Sequence, residues 1–276
     1  MKKIVILYSG GLDSFIMKKL ADSLGYETTL VHYDIGQEYS EKEMNAIKYS
    51  KFDVDIRTVD WLKSASNTKS KDGNVGAGNI FIPGRNMVLA SLAASTDLPD
   101  EVWMGGLKGE DHSTATDKNN VFINKTNELW SYVYSPFSTV PKLVFPLLER
   151  EWGKYEAVEW LYKTNKTEIS DIIQTSSCLK NTKEKNCGTC IVCCRRYFIF
   201  KQLGFTEIYA SHPLTNVNNI NMIIEMLDTD ADEDVHYDKW RRREIIPGLY
   251  LELNTKDHKK IKNILTALIP FVNSED

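Results

Sequence analysis

Cysteine is absent from the first 177 residues and from everything after residue 194. All five, Cys178, Cys187, Cys190, Cys193 and Cys194, crowd into 17 residues of a 276-residue chain. A disulfide framework spreads its cysteines to staple distant segments, so this distribution argues against one and for a metal site. Positive charge is not in excess either: 34 Lys and Arg face 38 Asp and Glu, for a net charge of -4. With no basic footprint, neither nucleic acid nor an anionic membrane is an expected partner. No apolar run is long enough for a bilayer, since residues 264–272 supply about half of the ~20 residues a span requires and include Pro270. The start, MKKIVILYSGG, lacks the extended apolar core and small-residue end of a signal peptide, and a cytoplasmic location is expected. With 42% hydrophobic and 26% charged residues, the composition is that of a folded globular chain, not a disordered one.

What is present is an alternation of strand and helix signals. Residues 3–8, KIVILY, form an unbroken apolar run, the pattern of a strand buried on both faces of a parallel sheet. Phe15, Ile16, Leu20 and Leu24 recur at helical spacing before Gly25, and strands at 27–33 and 53–59 flank a helix at 40–51. A helix at 85–94, a short strand at 101–104 and a helix at 154–163 follow. The order predicts an α/β chain with a Rossmann-like open parallel sheet and helices on both faces. Two polar segments, 64–79 and 105–120, read as functional loops. Beyond residue 205, Val217, Ile220, Ile223, Ile224 and Leu227 predict an amphipathic helix. An acidic run at 228–234, a basic cluster at 241–243 and a last helix at 258–269 complete this tail. The expected divisions are 1–170, a cysteine element at 171–205, and a C-terminal extension at 206–276.

The first strand ends in Ser9-Gly10-Gly11-Leu12-Asp13-Ser14. Glycines that turn N–H groups inward, at the positive end of a helix, make a phosphate cradle. Ser9 and Ser14 add hydroxyl donors, and Asp13 can hold a Mg²⁺ that bridges phosphate oxygens. Neither a G-x-x-x-x-G-K-[ST] loop nor a G-x-G-x-x-G dinucleotide fingerprint is present. An ordinary turn capped by Ser9 is the plain alternative.

The second motif is C-x8-C-x2-C-x2-C through Cys178, Cys187, Cys190 and Cys193, with Gly188 at the tight turn. Four thiolates suit tetrahedral Zn²⁺ and leave no place for water, so the predicted role is structural. Cys194 is expected to be a packed residue at the start of a helix. An iron–sulfur cluster and a Cys187–Cys190 redox pair are the rival readings.

SGGLDS after the first strand resembles the pyrophosphate loop of the ATP pyrophosphatase (PP-loop) superfamily, whose members split ATP between the α and β phosphates. Together with the four cysteines it is similar to the QueC family, 7-cyano-7-deazaguanine synthase. Tyr33-Asp34-Ile35-Gly36-Gln37 resembles that family's F-D-Y-G-Q, and Ile82-Pro83-Gly84-Arg85-Asn86 its V-P-G-R-N. Phe145-Pro146-Leu147 with Gly153-Lys154-Tyr155-Glu156 is similar to its P-L and K-x-E-[IV] stretch, and Cys193-x-x-Arg196 to its C-x-x-R. The likeness covers roughly residues 1–205. It implies that Ser9 to Ser14, Asp34 and Gln37 hold ATP, and that Asp13, Arg85 and Lys154 are catalytic. By the same likeness Arg85, Asn86, Asp111 and Asp117 contact substrate. Physically, an Arg at a helix start can grip phosphate or carboxylate through its planar fork, and Lys154 can neutralise leaving pyrophosphate. A surface ion pair for Arg85, a solvated lysine for Lys154, a capping role for Asp34 and structural roles for His32 and His112 stand as the alternatives.

The implied reaction converts 7-carboxy-7-deazaguanine and ammonia to the nitrile, through adenylation of the carboxylate and then of the amide, with Mg²⁺–ATP and a structural Zn²⁺. Two departures bear on substrate. The family's D-x-S-x-Y-x-D-C-R becomes residues 111–119, DHSTATDKN, and its G-Q-x-H becomes Gly36-Gln37-Glu38-Tyr39. They leave room for an amide ligase that stops after one adenylation and serves another amine, on a protein partner for instance. An ATP-dependent tRNA-modifying enzyme is a further rival, against which the net charge counts. The tail exceeds the family pattern and is a candidate for a homodimer interface or a partner-binding surface.

Overall fold

The computed structural model describes residues 1–37, 39–62, 82, 84–111, 116–180, 186–228 and 236–272, with side chains for all of these but 97 and 236–240. The segment 64–79, His112 and Ser113, and the acidic run after Asp228 lie outside the described residues. The chain divides into two compact units, Met1–Ser176 and Ser177–Asp276.

In the first unit five strands, β1 Lys3–Leu7, β2 Glu27–Asp34, β3 Val54–Thr58, β4 Glu101–Trp103 and β5 Lys142–Val144, form one sheet in the order β3-β2-β1-β4-β5. All four pairings are parallel. Helices α1 Leu12–Ser23, α2 Ser40–Ser50, α3 Arg85–Asp97 and α4 Asn120–Val133 make the connections. After β5 come α5 Pro146–Glu149, α6 Lys154–Glu159 and α7 Ile169–Gln174. Since β2 and β3 lie on one side of β1 and β4 on the other, winding reverses between β1 and β4. Open α/β sheets bind ligands beyond the C-terminal strand ends at such a reversal.

The apolar run of β1 is buried on both faces, as its continuity predicts: Ile4, Val5 and Ile6 are all buried. Val5, Val31, Val102 and Leu143 share one face, packed against Ala90, Ala93 and Ala94 of α3 and Trp130 and Tyr134 of α4. Right-handed crossovers place α1 and α2 on the opposite face from α3. The helix expected at 154–163 is α6 followed by a π turn, Trp160–Thr164. Helix α4 and strand β5 have no counterpart in the sequence reading.

The second unit holds the cysteine loop and four helices, α8 Ile191–Leu203, α9 Val217–Asp228, α10 His236–Leu253 and α11 His258–Val272. Cys194 and Phe198 of α8 share a core with Ile220 and Ile223 of α9, Ile245 and Leu249 of α10, and Ile261 and Leu265 of α11. Helix α10 crosses α8 closely at Gly248, where a Cβ would stand 2.3 Å from the Phe198 carbonyl oxygen. Beside this crossing Arg195 and Glu244 form a buried two-point ion pair. Arg196 is fully buried, paired at 2.8 Å to both oxygens of Glu207 and lying 4.4 Å from the Phe200 ring centre. That full pairing satisfies an otherwise costly buried charge and gives Arg196 a structural role. Among the described residues, no helix is long and apolar enough to cross a membrane.

Candidate functional site

A cleft of about 260 Å³ opens at the C-terminal ends of β1 and β2. Ser9, Asp13, Ser14, Gln37, Arg85 and Asn86 line it, together with Tyr39, Glu43, Met104 and Gly105. The loop that enters it is held by its own side chains. Ser9 N–H donates to Ser14 Oγ (3.3 Å), Gly11 N–H to Ser9 Oγ (3.2 Å), and Ser14 Oγ–H to the Gly11 carbonyl (2.9 Å). Gly10 has φ +70°, and a Cβ there would stand 2.9 Å from the Glu43 carbonyl oxygen, so glycine is required by both backbone and packing. Ser176 N–H donates to the Gly10 carbonyl at 3.0 Å and fixes the loop from behind. Leu12 is buried in the core and anchors the first turn of α1. The first N–H groups of α1 are those a helix leaves without intrahelical partners.

Lys154 is almost fully buried, with Nζ 3.2 Å from Asp13 Oδ1. The contact is an ion pair that lacks hydrogen-bond geometry, so Oδ1 is a buried oxygen with no hydrogen-bond partner. Arg85 follows Gly84, whose φ of +70° turns the chain into α3. Tyr39 hydrogen-bonds to both Arg85 and Gln37, and burial raises its phenol above the ordinary range. Burial also pushes the Glu43 carboxyl up to about 8; Arg85 opposes the shift and Asp34 reinforces it.

Of the other expected residues, Asp34, Asp111 and Asp117 are not among those that line the cleft, whereas His32 is. Asp34 Oδ1 accepts from Gly36 N–H at 2.9 Å, the turn-capping role. Asp111 accepts from Gly109 N–H (2.9 Å) and lies 3.4 Å from Lys108 Nζ. Asp117 meets the site only through its carbonyl, which accepts from Asn86 Nδ2 at 3.5 Å. His32 is buried, with Nδ1 3.1 Å from the Tyr8 carbonyl, and burial lowers its pKa. Glu43 has no place among the sequence-derived candidates. Its signal was available: it precedes the buried Ala46 and Ile47 by three and four residues, an acid on an apolar helix stripe.

In the second unit, the sulfurs of Cys178, Cys187, Cys190 and Cys193 lie within 4.8 Å of one another. The Cys187 and Cys193 sulfurs are 3.9 Å apart, near the edge of about 3.8 Å that a tetrahedron with ~2.3 Å Zn–S bonds requires. Donors this close enclose one ion, whereas an iron–sulfur cluster needs room for irons and sulfides between them. N–H groups of Lys180, Cys187, Cys190 and Cys193 point at cysteine sulfurs at 3.2 to 3.5 Å, the outer contacts that support thiolate ligands. Hydrogen bonds from the other three thiols hold Cys187 far below the ordinary thiol range. The cluster therefore fits zinc. Cys194 stands outside it, in the helical core, where burial pushes its thiol up to about 12.

The comparisons with known proteins agree with this geometry. A family model described as queuosine biosynthesis protein QueC matches residues 3–204. The chain is 28% identical over 225 residues to 7-cyano-7-deazaguanine synthase 2 of Colwellia psychrerythraea, covering 73% of this chain and 94% of that protein. It is 28% identical over 244 residues to a 7-cyano-7-deazaguanine synthase of Methanococcus maripaludis, covering 75% and 97%. A 7-cyano-7-deazaguanine synthase of Chlorobium phaeobacteroides is 26% identical over 223 residues, covering 74% and 95%. The matched region holds the loop at residues 9–14, Arg85, Lys154 and all four clustered cysteines, and the chain belongs to the QueC family.

Proposed function

We propose that this chain is an ATP-dependent, AMP-forming carbon–nitrogen ligase that converts 7-carboxy-7-deazaguanine and ammonia to 7-cyano-7-deazaguanine. The observation that carries the reading is the ion pair between the buried Lys154 and Asp13 of the phosphate-cradle loop, with Asp13 and Arg85 lining one cleft. In this reading Ser9, Gly10, Gly11, Leu12, Asp13 and Ser14 receive the β and γ phosphates, with Gln37 and the turn capped by Asp34 shaping the nucleotide side. Asp13 Oδ1, which accepts no hydrogen bond and whose charge is shared, among the described residues, only with Lys154, supports a Mg²⁺ site, since a hard cation takes carboxylate oxygen. When bound, Mg²⁺ supplies charge neutralisation on the phosphates. Lys154 balances charge that develops on departing pyrophosphate. Arg85, beside Asn86, grips the substrate carboxylate and orients it toward the α-phosphate; Asp111 and Asp117 are assigned to the substrate side. Catalysis is then positioning and charge stabilisation, with no nucleophilic side chain. The zinc cluster holds the 178–193 loop and takes no part in the chemistry.

Tyr39, which stands where the family has His, lines the cleft and contacts Arg85. This favours, as a second reading, a ligase that stops at the amide or serves another amine. The test is to incubate the full chain with ATP, Mg²⁺, ammonia and 7-carboxy-7-deazaguanine and weigh the product. The nitrile mass supports the full conversion and excludes the one-step ligase; the amide mass alone does the reverse.

A further inference from the structure

Asp13 and Glu43 are the two carboxylates among the described residues lining the cleft. Asp13 is engaged by Lys154, whereas Glu43, whose backbone carbonyl abuts Gly10, lines the same cleft within the electrostatic reach of Tyr39 and Arg85. The groups that act on it are Arg85 from α3, Asp34 from β2 and Tyr39 at the head of α2. Arg85 is the residue assigned to the reacting carboxylate, so an acid within its electrostatic reach is also near the carbon that an amine must attack.

From this placement we infer that Glu43 is the proton acceptor for the amine in the step after adenylation, an assignment that rests on the function proposed above. The amine nitrogen donates its lone pair to the acyl carbon, and the carbonyl electron pair moves onto oxygen. The new N–H⁺ gives its proton to the Glu43 carboxylate. The oxygen pair then re-forms the carbonyl, and the C–O bond to phosphorus breaks, so that AMP leaves with that pair. An attack without a proton acceptor reverts, because protonated nitrogen is a better leaving group than AMP. A carboxyl held near 8 by burial suits the task, since a general base works best with a pKa close to the operating pH.

The test compares wild type with Glu43→Gln, using ammonia and hydroxylamine as nucleophiles across pH. Hydroxylamine is largely unprotonated at neutral pH and forms a more acidic adduct that can lose its proton to water. With ammonia, amide formation by the variant should fall about 100-fold, within the range typical of a lost general base. At a fixed concentration of free ammonia, the rise in rate with pH through about 8 should disappear with it. Hydroxamate formation should fall far less. Equal losses with both nucleophiles and an unchanged pH profile would overturn the assignment while leaving the ligase reading intact. No AMP from wild type with either nucleophile would instead overturn the adenylation reading, and the assignment with it. Folding is followed independently. Glu43 binds its proton more tightly folded than unfolded, so wild-type stability should fall as pH rises from the ordinary carboxylate range through about 8. Glu43→Gln should flatten that fall, showing a folded variant that has lost only the titrating group.

Discussion

Replacing Gly188 with alanine should abolish zinc binding by the four-cysteine cluster and unfold the second unit at temperatures the native protein survives. Gly188 has φ +79°, and a Cβ there would lie 1.6 Å from the Ser211 carbonyl oxygen, a backbone atom that cannot swing aside. Two backbone segments would have to separate, one of them the turn after Cys187. The expected cost is about 4 kcal/mol or more, in the class of steric insertions at special backbone positions. For a unit the size of Ser177–Asp276 that corresponds to a drop in Tm of roughly 15–30 °C. Zinc content should fall from about one ion per chain to near none. Gly204→Ala is the control. It has a similar φ of +74° at the end of α8 but nothing within 4 Å of its Cβ, so only the backbone penalty of about 1 kcal/mol applies. Metal analysis and thermal melts of the two variants separate the close approach from the left-handed backbone; similar zinc and Tm in both would refute the packing argument.

The second large effect is on chemistry. Asp13→Asn keeps the size of the side chain and the first turn of α1 but removes the charge that faces Lys154 and the oxygen assigned to the metal. AMP formation should fall by about 10³-fold, comparable to removing a principal electrostatic group from an active site. The melt should move little, because Asp13 is partly exposed. A variant that forms AMP at the wild-type rate would contradict the assignment of this loop to the phosphates.

How much of this was legible depended on whether local pattern and tertiary role coincided. The strand at the N-terminus, the SGGLDS turn and α1 were readable because a run of apolar residues, two glycines and a helical stripe fall in consecutive register. The cysteine cluster was readable because its ligands are close in sequence and chemically distinctive. Cys194 was separable from them by spacing alone, and it does pack in the helical core. Helix α10 was read only as a basic cluster at 241–243: Pro247 and Gly248 interrupt its helical signal, and Gly248 serves a crossing with α8 that no local pattern encodes. Strand β5, three residues long, takes its identity from pairing with β4. In the site, Arg85 and Asn86 were found through a motif. Asp34 accepts a hydrogen bond from Gly36 in its own turn, a capping contact that spacing alone does not separate from a ligand role. Glu43 was missed because an acid in the first turns of a helix reads as a favourable dipole contact. Its spacing to the buried Ala46 and Ile47 was the available signal; the cleft that it lines is set by the fold.

The central claim, that oxygen from the substrate carboxylate passes to AMP, can be measured directly. The substrate is 7-carboxy-7-deazaguanine carrying ¹⁸O in both carboxylate oxygens, turned over with ATP, Mg²⁺ and ammonia, and both product and AMP are weighed. Adenylation and aminolysis put one ¹⁸O into AMP for each amide formed. Conversion to the nitrile puts the second into another AMP, so the account predicts two singly labelled AMP molecules for every unlabelled nitrile. Unlabelled AMP, or none beyond background, would contradict it.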